Sequence, residues 1–322
     1  MPSRECVPRQ YGLGSVCVGD GRPFKTGIEH NLLYFSPMRK SLLIRLSTGV
    51  LLGGALWVAY TQNFGQQPAK LNTVKLKDDL YVIHNDFVPG NTTALVTNAG
   101  VVLVDDKFEI DHASIMAEVK KITSQPVKYV INTHHHADHS GGNAKMQDLS
   151  AQIVASEEAW QNMVDGKQPG LPNVTIGHEA RIHLGGKTVA MYHFGRSHTN
   201  GDVVVYFPAD RVLAAGDMFT FGDDVPELID YSGGGSAKEW PKTLDSALML
   251  DFDTVVPGHG NVTTKQEMRK YRDSTARLVT RVHEMLVQKK TKDDVAKMLR
   301  SEFHWADLHL ARGLDGAMVE MQ

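Results

Sequence analysis

The chain has 322 residues, of which 42% are hydrophobic, and this is enough to bury the core of one large domain or two small ones. Its formal net charge is −3, and residues 71–322 alone carry 34 acidic and 26 basic side chains. An acidic body lacks the basic stripe that holds a phosphate backbone, so the composition argues against nucleic acid as a partner.

The first part of the chain has the features of an export signal. Residues 1–37 have no hydrophobic periodicity, and they are interpreted as a doubtful or disordered leader. The positively charged start at Met38 is followed by an uncharged apolar run over residues 47–60. A run of 14 residues is typical of a signal peptide, whereas a membrane span needs about 20. We therefore predict a signal peptide or an N-terminal anchor over residues 38–66, with a buried core helix as the alternative, and a periplasmic or secreted location.

Both cysteines, Cys6 and Cys17, lie in the leader. The rest of the chain therefore suits an oxidising compartment without requiring a disulfide. It also has no thiolate with which to bind a metal.

Short apolar runs predict three strands, which are Leu80–His84, Thr93–Thr97 and Val101–Val104. Asp111 then begins a predicted helix that ends before Pro126. Between these elements lie Asp105 and Asp106, and either is a candidate to brace a metal-binding histidine, with solvation of a strand end as the alternative.

A dense cluster of metal-binding side chains follows the next apolar run, Val127–Ile131. Within six residues lie His134, His136, Asp138 and His139. Residues two apart in an extended segment point the same way, so His134 and His136 can converge on one ion. The small residues at 140–143 allow a turn that directs Asp138 and His139 to a neighbouring position. The alternative is a polar surface loop rich in histidine.

Three more candidate ligands follow predicted strands further along the chain. His198 comes after the run at 189–194, Asp217 ends the run at 212–216, and His259 follows Val255 and Val256. Each lies in a turn-like setting rich in glycine. Seven side chains at strand ends therefore predict a site for two metal ions.

The remaining pattern mixes strands with helices, which argues for two sheets with helices outside them. The pattern predicts a helix that begins at Ser156, a loop over residues 166–177, a hairpin around Pro208 over residues 203–215, and a helix over residues 236–250. From residue 263 onward, amphipathic helices predict an extension, 263–322, that packs on the sandwich. A dimer face, a cover for the active site and membrane contact are the alternatives for these helices.

The ligand order resembles that of the metallo-β-lactamase superfamily: His-x-His-x-Asp-His, a His-Thr-x-Gly-Asp segment, Gly-Asp and Pro-Gly-His-Gly, over residues 75–262. The resemblance implies an α/β fold, an αββα sandwich of two mixed β-sheets flanked by helices, spanning residues 71–262 with metals at the sheet edge. It assigns His134, His136 and His198 to a first zinc ion and Asp138, His139 and His259 to a second. The resemblance also implies that Asp217 bridges the two ions.

The chain departs from the family's β-lactamases at two positions. Asp217 stands where one subclass has a cysteine, and Thr220 stands where that subclass has a lysine for the substrate carboxylate. The pairing of His139 with Asp217 resembles glyoxalase II and lactonases, although the sequence around His198 resembles the cysteine-ligand β-lactamases.

The ligand set predicts an enzyme, a metal-dependent hydrolase that holds two Zn²⁺ ions, with iron or manganese as alternatives. A metal-bridging hydroxide would attack a carbonyl while Asp138 orients the nucleophile and shuttles a proton. By analogy with lactonases, Tyr231 is a candidate substrate-binding residue that would donate to an oxyanion, with packing as its alternative. The predicted substrate is a small molecule, a β-lactam-like cyclic amide or a lactone.

Three alternatives to this function stay open. They are a glyoxalase II-like thioesterase, an iron-using redox or sulfur-handling protein, and a non-catalytic metal-binding protein. Contact with a membrane is predicted only through the N-terminal segment, and a homodimer is left open.

Overall fold

A computed structural model describes residues 67–222 and 228–322 of the chain. The predicted leader (1–37), the signal peptide or anchor (38–66), Cys6 and Cys17 lie outside the described residues. Within those ranges, no helix combines the length and the apolar character needed to cross a bilayer.

The first sheet has seven strands in sequence order, β1 to β7. Its first four strands are antiparallel, and β4, β5, β6 and β7 run parallel. The strands are Asn72–Lys75, Leu80–His84, Thr92–Thr97, Gly100–Val104, Val127–Ile131, Gln152–Ser156 and Val174–Ile176. The two parallel strands β4 and β5 therefore bring the segments after Val104 and Ile131 to the same edge of the sheet.

The second sheet has six strands in the order β13-β12-β11-β10-β9-β8. These strands are β8 (Glu179–Leu184), β9 (Lys187–Tyr192), β10 (Val204–Phe207), β11 (Val212–Gly216), β12 (Thr254–Pro257) and β13 (Thr263–Thr264). Within this sheet, β11 and β12 form the parallel pair. Their carboxyl ends lead directly into Asp217 and into the turn that carries His259.

Alternating side chains of each strand build three apolar layers. In β4, Val102 and Val104 belong to the core between the two sheets, whereas Val101 and Leu103 face the helices on the other side. In the second sheet, Val205 faces the inner core and Val204 faces the outer helices. This period of two fixes which side chains point inward. The predicted αββα sandwich of two mixed sheets is thereby confirmed.

Eight α-helices and one 3₁₀ helix (Glu109–Asp111) lie in the described ranges, and most of the α-helices cover the outer faces of the sheets. In the first half of the chain these are α1 (His112–Ile122), α2 (Ala137–Ser140), α3 (Asn143–Asp148) and α4 (Glu157–Asp165), of which the short α2 lies at the sheet edge after β5. On the second sheet lie α5 (Trp240–Leu248), α6 (Lys265–Val287), α7 (Lys292–Phe303) and α8 (Asp307–Glu320). The last three helices share one apolar cluster with α5 and the outer face of the second sheet.

Several elements were not predicted from the sequence pattern, and three of them show why. Strand β1 is an edge strand with mostly exposed side chains, so it has no apolar alternation. Strand β7 has three residues and lies inside the stretch 166–177, where glycine and proline predict a loop. Helix α8 contains Gly313 and Gly316, which lower helix propensity and hide its period.

Candidate metal centre

All seven sequence-predicted ligands meet at one edge of the two sheets. His134 follows β5, Asp138 and His139 lie in the short helix α2, and His198 lies between β9 and β10. Asp217 and His259 follow the neighbouring strands β11 and β12. Because these strand ends share an edge, residues up to 125 positions apart in sequence become neighbours.

Four of the seven residues form a first donor group. One ligand atom from each of His134, His136, His198 and Asp217 lies within 4.8 Å of the others. The Nε2 of His198 is 2.9 Å from the Nδ1 of His136 and 3.6 Å from the Oδ2 of Asp217. The Nε2 of His134 is 3.8 Å from the same oxygen. Ligands held at 2.0–2.1 Å around a tetrahedral zinc ion stand about 3.3 Å apart, so the spacing fits one ion.

The other three residues, Asp138, His139 and His259, form a second group. The Nε2 of His259 is 3.2 Å from the Nε2 of His139 and 3.3 Å from the Oδ2 of Asp138. Asp217 reaches this group with its other oxygen, because its Oδ1 is 3.3 Å from His139 and 3.4 Å from His259. One carboxylate therefore presents Oδ2 to the first group and Oδ1 to the second.

The protonation of the histidine rings also fits metal binding. A carbonyl or carboxylate oxygen lies close to the outer nitrogen of four rings, so that nitrogen carries the hydrogen and donates it. When the ring is neutral, the inner nitrogen is then the one that would offer a lone pair to an ion at the centre. The outer partners are Asp230 for His136 at 2.9 Å, Leu228 O for His198 at 2.6 Å, Asp105 for His139 at 2.8 Å and Phe87 O for His259 at 2.8 Å.

Two buried polar atoms at the centre have no hydrogen-bond partner, and they are the Nε2 of His134 and the Oδ1 of Asp217. An unpaired buried polar atom is costly, and it calls for an explanation such as an ion. Burial first, and the neighbouring His139 and His136 next, hold the pKa of His134 well below its usual value, so this ring stays neutral. The donor set of imidazoles and carboxylates therefore fits metal ions at both groups.

The carboxylates and histidines of the second group shift each other's pKa values. Burial alone would lower the pKa of His139, but Asp217, Asp138 and Asp105 outweigh it and raise the pKa to about 10. Burial alone would raise the pKa of Asp138, and the adjacent His139 and His259 hold it below its usual value instead. The carboxylate of Asp217 is held ionised in the same way, which suits a dication.

Asp105 is one of the two braces considered from the sequence, and the structure places it against His139. It also accepts hydrogen bonds from the backbone N–H and the hydroxyl of Thr133, at 2.7 and 2.8 Å, and so fixes the start of the histidine cluster. Asp106 instead accepts from the N–H of Gly142. Asp202 accepts from Ser197 and Thr199, so it supports the loop around His198 rather than the ring itself.

Asp230 was not found from the sequence. Its Oδ2 contacts His136, and it lies 3.6 Å from the Nε2 of His135. The ring of His135 lies beside that of His136 and faces the same carboxylate. The only sequence signal was that Asp230 lies in the acidic, glycine-rich stretch 219–235 directly after Asp217.

The structure supports the packing alternative for Tyr231. Its hydroxyl donates to the Oε2 of Glu320 at 3.0 Å, and its ring lies against Gly316 of α8. The hydroxyl is therefore engaged by the last helix. Four other histidines, His84, His178, His183 and His193, lie outside the groups that could hold a metal among the described residues.

The loop between β2 and β3 packs directly on the second group at Gly90. A Cβ added at this position would lie 2.3 Å from the Cε1 and 2.6 Å from the Nε2 of His139. We expect Gly90→Ala to displace the ring and to weaken one of two zinc-binding events by about tenfold or more, as loss of a supporting contact does. A zinc titration against a chromogenic chelator measures this. Gly177→Ala is the matched control, because an added Cβ there meets nothing within 4 Å. Equal affinities in both variants would show that the loop does not support the group.

Comparisons with known proteins agree with this geometry. The family model described as "Metallo-beta-lactamase superfamily" matches residues 85–259. The chain is 28% identical over 214 residues to "Metallo-beta-lactamase type 2" of Elizabethkingia meningoseptica, covering 64% of this chain and 85% of that protein. It is also 28% identical over 205 residues to "Metallo-beta-lactamase IND-1" of Chryseobacterium indologenes, covering 62% and 84%. Among solved structures, a metallo-beta-lactamase from Pontibacter korlensis superposes with a TM-score of 0.59 at 22% identity, covering 64% of this chain and 99% of that one. At that identity the superposition supports the fold alone.

Proposed function

The chain belongs to the metallo-β-lactamase superfamily of metal-dependent hydrolases, and from that membership we propose that it is a dinuclear zinc hydrolase. Its proposed substrate is a β-lactam-like cyclic amide or a lactone. The proposed ligands are His134, His136 and His198 for one ion and Asp138, His139 and His259 for the other, with Asp217 between them.

One observation carries the proposal: the carboxylate of Asp217 divides its two oxygens between the two donor groups. A carboxylate placed in this way would hold one cation with each oxygen. Imidazole and carboxylate donors suit zinc, and the same donors accept iron or manganese, so the choice of zinc rests on the donor set alone.

Two bound divalent ions would supply an acidified water able to attack a carbonyl near neutral pH. The side chains around the centre are consistent with water as the nucleophile. The hydroxyl of Thr133 is 2.8 Å from Asp105, and that of Ser140 donates to the carbonyls of His135 and His136 at 3.1 and 3.0 Å. Neither hydroxyl is free to attack, and residues 71–322 contain no cysteine.

Asp138 is the proposed proton carrier. Its carboxylate is buried, it is ionised because His139 and His259 lower its pKa, and its Oδ2 lies 3.3 Å from the Nε2 of His259. A carboxylate held there can accept a proton from the attacking water and return it to the leaving nitrogen or oxygen. In the neighbouring group, Asp230 and Leu228 O fix the rings of His136 and His198, so that these residues keep their orientation during turnover.

The substrate class follows from the relatives and from one difference. Two curated relatives carry the name metallo-beta-lactamase, which supports a cyclic amide. However, residue 220 is a threonine that is only 2% exposed, so this position offers no cation to bind a substrate carboxylate. The presence of both His139 and Asp217 favours the second candidate, a glyoxalase II-like thioesterase. Export, which residues 38–66 predict, stays a prediction and weakens that candidate, since a glutathione thioester is a cytosolic substrate.

The test is a metal analysis followed by a turnover panel. We expect two zinc ions per chain by mass spectrometry and faster hydrolysis of nitrocefin or a homoserine lactone than of S-lactoylglutathione. Chelator treatment should remove activity and zinc readdition should restore it. Exclusive activity on S-lactoylglutathione would favour the thioesterase. No hydrolysis of any of the three by protein that holds two zinc ions would contradict the proposed substrates, and iron in place of zinc would contradict the proposed metal.

A further inference from the structure

The last helix ends in a carboxylate that binds a segment next to the metal centre. Glu320, at the end of α8, accepts hydrogen bonds from three donors in residues 228–238, here called the Asp230 segment. The hydroxyl of Tyr231 donates at 3.0 Å, the backbone N–H of Lys238 donates at 3.2 Å, and the hydroxyl of Ser236 donates to the other oxygen. Hydrogen bonds to an ionised acceptor are about twice as strong as neutral ones, so this contact can fix the segment.

The Asp230 segment is tied in turn to the first donor group. Besides binding the Nε2 of His136 through its side chain, Asp230 donates its backbone N–H to the carbonyl of His198 at 3.0 Å. The carbonyl of Leu228 accepts from the Nδ1 of His198. Two rings of the first group therefore take their orientation from this segment. The second group is braced from elsewhere, by Asp105 and by the carbonyl of Phe87.

Helix α8 is shaped to approach the segment closely. Its Gly316 lies against the ring of Tyr231, where an added Cβ would be 2.1 Å from a ring atom. Glycine inside a helix costs roughly 1 kcal/mol relative to alanine, and here it allows the ring and the helix to touch. The close approach in turn places Glu320 within reach of the three donors.

We propose that Glu320 is a positioning residue for the first donor group, acting through the Asp230 segment. The C-terminal helix is then a part of the support of the metal centre and not only a cover for the second sheet. This inference rests on the proposed dinuclear site.

The experiment compares zinc binding by the wild-type protein, Glu320→Gln and Glu302→Gln. Glu320→Gln keeps the size of the side chain but replaces one acceptor oxygen with an NH2 group. That group would face hydrogen-bond donors of the Asp230 segment, so at least one of the three hydrogen bonds is lost. Glu302→Gln is the matched control, because Glu302 lies on α7 and pairs with Arg281 at 2.7 Å, away from the segment. Titration against a chelator should show one of two binding events weakened about tenfold in Glu320→Gln, in line with the loss of an outer contact, and neither weakened in the control.

The weakened event is assigned by repeating the titration in two backgrounds. In His259→Ala, which disables the second group, Glu320→Gln should still weaken zinc binding, and in His136→Ala its effect should disappear. Tyr231→Phe, which removes only one donor to Glu320, should give a smaller loss at the same event. Thermal unfolding of the metal-free proteins checks that each variant folds.

Unchanged affinity in both Glu320→Gln and Tyr231→Phe would overturn the inference, as would an equal loss at both events. These outcomes differ from a failure of the proposed function. If the wild-type protein binds fewer than two ions, the dinuclear proposal fails, whereas two ions with no effect of the variants removes only the role of Glu320.

Discussion

Replacing His134 with alanine should abolish hydrolysis and empty the first metal group. The ring is fully buried, its Nε2 has no hydrogen-bond partner, and its low pKa keeps it neutral, so nothing else uses this lone pair. We expect kcat/KM to fall by more than about 100-fold, beyond the 10–100-fold loss typical of an outer contact, and the zinc content to fall toward one ion per chain. Steady-state kinetics with the substrate found in the panel and mass spectrometry measure the two effects.

Stability should separate metal binding from folding in the same variant. A ligand that binds only the folded state stabilises it by mass action, so added zinc should raise the melting temperature of the wild-type protein much more than that of His134→Ala. The metal-free variant should melt below the metal-free wild type, because the buried ring leaves a cavity and its hydrogen bond with the hydroxyl of Thr133 at 3.2 Å is lost, but this difference does not depend on zinc.

His183→Ala is the control for this prediction. His183 lies on the exposed side of β8, and its Nδ1 contacts the hydroxyl of Thr188 at 3.0 Å. Zinc content and activity should stay at the wild-type level. If both variants lose zinc to the same extent, the assignment of ligands is wrong.

The meeting of the seven candidate ligands at one edge could be predicted because each one combines a chemically distinctive side chain with a strand end. His134 and Asp217 follow buried apolar runs, and the strands before them are parallel to β4 and β12. Asp105 could be proposed as a brace for the same reason, since β4 ends beside β5. The edge of a sheet thus gathers residues whose sequence positions are far apart.

The supporting residues could not be predicted in this way. Asp230 lies in a stretch without hydrophobic periodicity, and its partner His136 is 94 positions away. Glu320 contacts Ser236 across 84 positions, and no pattern in α8 marks it. Their roles depend on how loops and the last helix pack, which is decided by tertiary contacts and not by local preference. Lys107 is another supporting residue of this kind, because a lysine in a polar stretch is normally expected to be exposed to solvent.

Lys107 is in fact fully buried beside the second group. Its ammonium donates to the carbonyl of Gly90 and to the Oδ1 of Asn85, the latter at 3.0 Å, and so it holds the loop that packs on His139. Burial lowers its pKa to about 7, and the carboxylates of Asp111, Asp105 and Asp138 oppose the shift. The charged form of Lys107 therefore costs stability at low pH, whereas the neutral amine formed at higher pH supports the loop at little electrostatic cost.

The stability of the wild-type protein relative to Lys107→Met should consequently rise with pH. Between pH 7 and about 10.5, the native state has released this proton while the unfolded state still binds it, so raising the pH favours the native state. We expect the difference in the free energy of unfolding to grow by about 1 kcal/mol per pH unit in this window and to be flat below it. Urea denaturation of the two metal-free proteins from pH 6 to pH 10 measures the slope, and subtraction removes the contribution of other groups.

Lys187→Met supplies the control, because Lys187 lies near the surface and its hydrogen bond to Asp79 raises its pKa. That lysine stays charged in both the native and the unfolded state up to about pH 10. The difference in the free energy of unfolding between the wild-type protein and Lys187→Met should therefore not change with pH. A flat difference for Lys107→Met as well would mean that the native protein keeps Lys107 charged. In that case the nearby carboxylates outweigh burial, and the loop over His139 is held by an ion-pair network and not by a neutral amine.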